Sequence, residues 1–318
     1  MIHNKRLAPF GRKTSADMPR RIDCTYIPVI DNSKCPATPV QKILKYSDRL
    51  IILSSNNFPI WCHQYSHKRV SLVRLTELDG FQAISNLSIN RNPSTQLRPE
   101  FDTGIKRTLA LLHAKARNYR NVLLLDDDIV LTEYQISHTG SVLTIDNVCV
   151  AGFYVRGFAD ISTTRHIEHY IHPSRPINIT MTGSALFVDP QLVDPIFPQI
   201  YNDDLFFFLR QQDHANVVSV GYSWQRPRTP WIDLSRISHE QYGDLIYETV
   251  LRHINAPETD SNINWQEEIE AEVDYLLALR RQIRNPNILR ALGIAIKAVN
   301  NFSPNTLQET YDELGLIL

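Results

Sequence analysis

The chain has 318 residues, 43% hydrophobic and 21% charged, with a formal net charge of -1 at pH 7. This is ordinary globular composition, long enough for one large α/β domain with an extension or for about two domains. The balanced charge lacks the basic excess of a nucleic-acid binder, no apolar run approaches the ~20 residues of a membrane span, and the basic opening stretch has no apolar segment of a secretory signal.

Residues 1–21 read as a flexible basic tail. "CTYIPVI" (24–30) reads as a first strand and "TPVQKILKYS" as a short helix. "DRLIILSSNN" is a second buried strand ending in turn residues, and "RVSLVRL" (69–75) a third. "FDTGIKRTLALLHAKARNY" (101–119) has helical apolar spacing, and "NVLLLDDD" returns as a strand. Strands alternating with helices imply a mainly parallel sheet covered on both faces, with Val122–Leu125 suited to a central strand. Further on, "VCVAGFYVRG" (148–157), "INITMTGSALFV" (177–188) and "VVSVGYSW" (217–224) read as strands, and "DLFFFLRQQ" (204–212) as a short buried helix. From Trp265 the chain is amphipathic and helical. The polar link 253–264 separates a domain at 22–252 from a helical extension at 265–318, and a chain ending near Asn255 is expected to fold. Cys24, Cys35, Cys62 and Cys149 show no C-x-x-C spacing and read as reduced thiols of a cytoplasmic protein.

Two acidic runs stand out. Asp126, Asp127 and Asp128 follow directly on the apolar run of residues 122–125. In an open α/β sheet, ligands sit beyond the carboxyl ends of the strands. Clustered carboxylates raise one another's pKa unless a cation neutralises them, and oxygen-only ligands suit Mg²⁺ or Mn²⁺ bound together with substrate phosphates. A polar turn after a strand explains the same residues without chemistry. Asp203 and Asp204 open the aromatic helix, where a helix N-terminus stabilises carboxylates. A helix cap at Asn202 with two acidic first-turn residues is the structural alternative.

The string "LLLDDDIVL" resembles two motifs. One is the first motif of haloacid-dehalogenase-type phosphatases, with Asp126 as nucleophile. Those enzymes also need a lysine after this motif and before a later acidic pair, and this chain has no lysine from Ala116 to Ile296. The other is the D-x-D motif of GT-A-fold glycosyltransferases, and this resemblance extends over residues 22–225 toward family 2-type nucleotide-sugar transferases. "IPVID" resembles their opening strand, with Pro28 and Asp31 near the nucleotide. "DTGIKRTLALLHAKARNYRNVLLLDDD" resembles the segment leading to the acidic motif, with Gly104 and Arg107 facing the donor and Thr108 replacing the usual Asn. "MTGSALFV" resembles the strand that puts Thr182 and Gly183 near the donor sugar. "YNDDLFFFL" resembles the motif carrying the general base, placing Asp204 there and Asp203 beside it. "SRISHEQYGDLIYE" is also similar, and its His239 is the candidate third metal ligand. Ser54 opens the "SSNN" that stands where many members carry a base-reading aspartate.

The resemblance implies a GT-A, Rossmann-like fold and a metal-dependent transfer of sugar, with inversion, from a nucleotide-sugar donor to an acceptor hydroxyl. Asp126 and Asp128 would hold Mn²⁺ or Mg²⁺, Asp126 and Asp127 would approach the diphosphate of a UDP- or GDP-sugar, and Asp204 with Asp203 would be catalytic. The rivals are the phosphohydrolase, a nucleotidyltransferase (whose glycine-rich loop is missing from "IDNSKCPAT") and an inactive sugar-nucleotide-binding protein. His166, His169 and His172 share one helical face, which suits zinc or, with Arg165 and Arg175, an acidic acceptor. Trp224 and Trp231 flank two arginines in a segment suited to sugars and phosphates or to a surface loop. The C-terminal helices read as packing surface or a homo-oligomer contact.

Overall fold

A computed structural model describes residues 19–30, 34–65, 68–86, 102–145, 148–157, 161–174, 181–211, 216–227, 233–255 and 263–315. Most of the expected tail, Asp31, Arg175 and Trp231 lie outside these residues.

The strands are β1 (Cys24–Val29), β2 (Leu50–Ser54), β3 (Val70–Arg74), β4 (Val122–Leu125), β5 (Ile129–Val130), β6 (Val148–Arg156), β7 (Met181–Val188) and β8 (Asn216–Gln225). They form one sheet in the order β3-β2-β1-β4-β7-β6-β8-β5. β1, β2, β3 and β4 run parallel, as do β6 and β8. β7 is antiparallel to both β4 and β6, and β5 is antiparallel to β8. This mixed sheet flanked by helices agrees with the Rossmann-like α/β class expected. Successive strand residues feed opposite faces: Tyr26, Val122 and Leu124 enter one apolar cluster, and Ile27, Leu123 and Leu125 enter the other. β4 is buried at every residue, as its Val-Leu-Leu-Leu run requires of a strand covered on both sides.

The helices are α1 (Val40–Tyr46), α2 (Phe81–Ser85), α3 (Thr103–Ala116), α4 (Glu133–His138), α5 (Thr163–Ile171), α6 (Asp203–Arg210), α7 (Ile237–Asn255), α8 (Trp265–Arg281), α9 (Pro286–Asn300) and α10 (Pro304–Glu313). α3 is the one that positions the site. Its Gly104 lies against the Pro198 carbonyl, which a Cβ would approach to 2.5 Å. Its Thr108 hydroxyl accepts from the Phe197 N–H at 2.9 Å. Together they lock α3 to the segment that leads into α6.

The C-terminal helices share the core of the sheet. One apolar cluster runs from Tyr26 and Leu124 through Phe206 and Phe207 to Trp265, Leu276 and Leu292. Tyr242 of α7 bonds Thr310 of α10 at 2.7 Å, and Arg210 of α6 donates to the Leu314 carbonyl at 2.8 Å. Among the described residues, no helix is long and apolar enough to cross a membrane.

This packing generates a stability expectation. Leu276 is completely buried, and Leu276→Ala should cost ~2–5 kcal/mol in denaturant unfolding, because a cavity remains where it packed. A chain ending at Asn255 would strip the same apolar surface bare and should lose its cooperative thermal transition. A truncated chain with an intact near-UV circular dichroism spectrum and an unchanged transition would show that 22–252 stands alone.

Candidate active site

A cleft of about 310 Å³ opens beyond the carboxyl ends of β1 and β4. Its walls come from Pro28–Ile30, the first turns of α3, the turn 126–128, the start of β7, residues 200–205 and the start of α7. Five carboxylates (Asp126, Asp127, Asp128, Asp203 and Asp204) face three cationic side chains (Lys106, Arg107 and Arg236) across it.

Arg107 holds the site together. Its Nη2 donates to both oxygens of Asp126, at 3.2 and 2.9 Å, and its Nη1 to both oxygens of Asp203, at 3.1 and 2.9 Å. The guanidinium is 6% exposed, against 24% for the Asp126 side chain and 16% for Asp203, so water screens neither pair fully. Burial opposes its charge, but Asp126, then Asp203 and Asp204, outweigh burial and hold it above the ordinary arginine range. Only the planar five-donor fork of arginine grips two carboxylates in this way. Next to it, the buried Lys106 ammonium donates to the Val29 carbonyl at 2.9 Å and pairs with Asp102. Lys106 thereby ties α3 to the end of β1. Sequence reasoning passed over Lys106 and Asp102, although a second cation beside Arg107 in the first turn of α3 was the available signal.

The turn 126–128 is clamped at every residue. The Asp126 N–H donates to the Ser184 carbonyl at 2.8 Å. The Asp127 carbonyl accepts from Ala37 at 2.7 Å, and that of Asp128 from Arg226 at 3.0 Å. The Asp128 side chain accepts from Gln225 Nε2 at 2.8 Å. Gln225 and Arg236 are cleft residues that sequence reasoning did not single out.

Asp204 accepts from the backbone N–H of Gly183 through Oδ2 and from that of Leu205 through Oδ1. The first bond depends on glycine: a Cβ at Gly183 would lie 2.6 Å from the Asp204 Cβ and 2.7 Å from Arg107 Nη1. Asn202 precedes the helix in a left-handed conformation, at φ 68°, which Asn tolerates better than other residues with a Cβ. Its carbonyl starts the helix by accepting from Leu205 and Phe206. Its side chain does not cap the helix, as the sequence alternative required, but donates to Asp244 Oδ1 at 3.0 Å.

Pro28, Gly104, Arg107, Asp126, Asp127, Asp128, Thr182, Asp203, Asp204 and His239 all line the cleft. Gly183 backs it, touching Arg107 and Asp204. Ser54 lies elsewhere: it is buried at the end of β2, and its hydroxyl donates to the Asn57 carbonyl at 2.5 Å. Arg165 turns away into pairs with Glu168 and Glu248, so the acceptor role considered with the histidines loses that arginine. Among the described residues, no three His, Cys, Asp or Glu side chains form a metal cage, which holds for His166, His169 and His172 and for Asp126, Asp128 and His239. The cleft does fit a hard divalent ion of another kind. It offers oxygen donors in carboxylate excess, and one or two of them suffice when a diphosphate completes the shell. Burial, then Arg236, pushes the His239 imidazole down to about 4, so it stands neutral, the form that can ligate.

Behind the cleft, Asp244 and Glu272 sit in an acidic cluster. Burial, then Glu248, pushes Asp244 up to about 7, with Ser162, Asn202 and Arg165 opposing. Burial, then Asp244 and Glu248, pushes Glu272 up to about 8, with Arg165 and Arg252 opposing.

No family model and no curated protein matches the chain. Solved structures similar to it include glucosyl-3-phosphoglycerate synthase from Mycobacterium tuberculosis in complex with Mn²⁺, UDP-glucose and phosphoglyceric acid. That match has a TM-score of 0.48 at 14% identity and covers 80% of this chain and 89% of that chain. Another structure of that M. tuberculosis enzyme matches with a TM-score of 0.48 at 13% identity, covering 76% and 83%. A complex of it with Mn²⁺, UDP and glucosyl-3-phosphoglycerate matches with a TM-score of 0.46 at 14% identity, covering 76% and 82%.

The acidic cluster sets a pH dependence. An unfolded glutamate titrates near about 4.3, whereas Glu272 in the fold titrates at about 8. Between these values the folded state holds the extra proton, so stability falls as pH rises through the window. Glu272→Gln removes that titration. Its melting temperature relative to the parent should therefore climb from pH 5 to pH 9, and a constant difference would show that Glu272 titrates normally.

Proposed function

We propose that the protein is a nucleotide-sugar-dependent glycosyltransferase that works with a divalent cation and transfers to an acceptor hydroxyl with inversion. The observation that supports this most strongly is the meeting, through Arg107, of the β4 carboxylate Asp126 with the α6 carboxylate Asp203, in a cleft with two more negative than positive side chains. A diphosphate alone would be repelled by that excess, whereas a diphosphate carrying a divalent ion is matched to it.

Asp126 and Asp128 are the residues that would hold Mn²⁺ or Mg²⁺, with the neutral His239 as a further donor. Such an ion, when bound, neutralises the departing nucleoside diphosphate. Arg107 keeps its charge in the cleft and fixes where Asp126 and Asp203 point. Pro28–Ile30 and Gly104 wall the nucleotide side, and Thr182 the sugar side. Asp204 is the proposed base. Its two backbone donors orient the carboxylate and leave lone pairs for the proton of the attacking hydroxyl. Asp203, held on both oxygens by Arg107, is the positioning partner. The phosphohydrolase reading gains no support here, because no lysine follows the aspartates before Lys297 to serve its motif.

Two experiments test the proposal. A nucleoside diphosphate, screened as UDP and GDP by thermal shift, should stabilise the protein more with Mn²⁺ than in excess EDTA, because an ion bridging carboxylates and phosphates binds the folded state only. Asp128→Asn should shrink that difference, and equal stabilisation in EDTA would remove the bridging ion. Asp204→Asn should lower transfer by about 10²–10⁴-fold, the usual worth of a general base, with donor affinity nearly unchanged. If Asp203→Asn proves the more harmful of the two, the base is Asp203.

A further inference from the structure

We infer that Asp244, outside the cleft on α7, is a positioning residue that sets the geometry of the proposed catalytic pair, Asp203 and Asp204. The inference rests on the glycosyltransferase reading only for the reaction it affects, because the geometry itself is independent of that reading.

The two carboxylates occupy the first turn of α6. A helix start is normally fixed by an N-cap side chain that bonds its own first turn. Asn202 declines that role: its amide reaches across to α7 and donates to Asp244 Oδ1 at 3.0 Å. The residue is thus held in its left-handed conformation from outside the helix. Gly243, the neighbour of Asp244, meets Tyr201 from the same helix: a Cβ there would stand 2.2 Å from the Tyr201 carbonyl. Two consecutive residues of α7 therefore grip the two residues that lead into Asp203. Both partners of the hydrogen bond are partly buried, so water competes with it weakly.

Asp244 is braced in turn. The Ser162 hydroxyl at the start of α5 bonds it, and Arg165 and Glu248 lie close by. Arg165 links onward to Glu248 and to the Tyr275 hydroxyl of α8, and that hydroxyl donates to Glu168 at 2.8 Å. The brace runs from the C-terminal helices to the start of α6. What the bond supplies is an acceptor at a fixed place, not a charge, so an amide at position 244 should serve as well as a carboxylate.

The test uses the full-length protein with Asp244→Asn, Asp244→Leu and Asp244→Ser. Asn keeps an acceptor oxygen, Leu has similar bulk without one, and Ser is too short to reach Asn202. Two readouts are taken. One is steady-state transfer from the nucleotide sugar found active. The other is amide hydrogen exchange at Gly183 and Leu205, whose N–H groups bond Asp204. Leu and Ser should lower kcat by about 10²-fold, the cost of misplacing a catalytic group by roughly 1 Å, with the donor KM changed by less than about 3-fold. Both should speed exchange at Gly183 and Leu205, and Asn should restore kcat and protection together. If Leu fails to fold, Ser carries the comparison. If wild type transfers no sugar but exchange responds as described, the glycosyltransferase reading fails and the positioning role stands. Unchanged exchange and kcat in a folded Leu or Ser variant would overturn it. So would an Asn variant as impaired as Leu, since charge and not the acceptor would then matter.

Discussion

The fold around the cleft depends on one buried cation. Arg107 sits in the first half of α3 with its guanidinium almost fully enclosed, and it has two carboxylates to answer it. One comes from the end of β4 and the other from the start of α6, more than seventy residues apart in the chain. Removing a partner from such a pair typically costs about 3–5 kcal/mol, because the remaining charge is left uncompensated. Asp126 and Asp203 therefore hold Arg107 inside as firmly as Arg107 holds them together. The close approach they require explains Gly183, where any larger side chain would push into both Arg107 and Asp204.

A second set of constraints supports the first from behind. Lys106 fastens α3 to β1, Thr108 and Gly104 fasten it to residues 197–198, and Asp244 fastens the entry of α6 to α7. The result is a cleft in which Lys106, Arg107, Asp128 and Asp204 are each held by other protein groups. Preorganisation of this kind is what an active site needs, since groups fixed in advance reorganise little during reaction. It also gives the C-terminal helices a part in the site. Their apolar residues join the cluster on one face of the sheet, and through Tyr275, Arg165 and Glu248 they reach the surroundings of Asp244.

Much of the fold was legible from local pattern. The strand expected at 148–157 forms at Val148–Arg156, and that expected at 217–224 at Asn216–Gln225. The helix expected over 101–119 forms at Thr103–Ala116, with its ends trimmed by two or three residues where fraying and caps decide. The acidic motif was legible too, because three carboxylates after an apolar run conflict with simple burial. Ser54 illustrates the limit. Its position at a strand end suggested a ligand contact, but its hydroxyl closes a local turn onto Asn57. Arg165 illustrates it again, since its acidic partners lie on α5 and on the distant α7.

What the sequence by itself determined was the alternation of strands and helices, the buried centre at Val122–Leu125 and the two acidic runs, because each follows from residue type and short-range spacing. What only the tertiary structure decided was which of these meet. No local signal makes β7 enter antiparallel between β4 and β6, because strand direction in a sheet is chosen by neighbours distant in the chain. That insertion brings Gly183 and Ser184 beside Asp126, and it seats α6 where Arg107 can reach Asp203. The turn of the Asn202 side chain toward Asp244 was equally invisible, because an N-cap and an interhelical tie use the same residue and differ only in which acceptor the fold places within 3.0 Å.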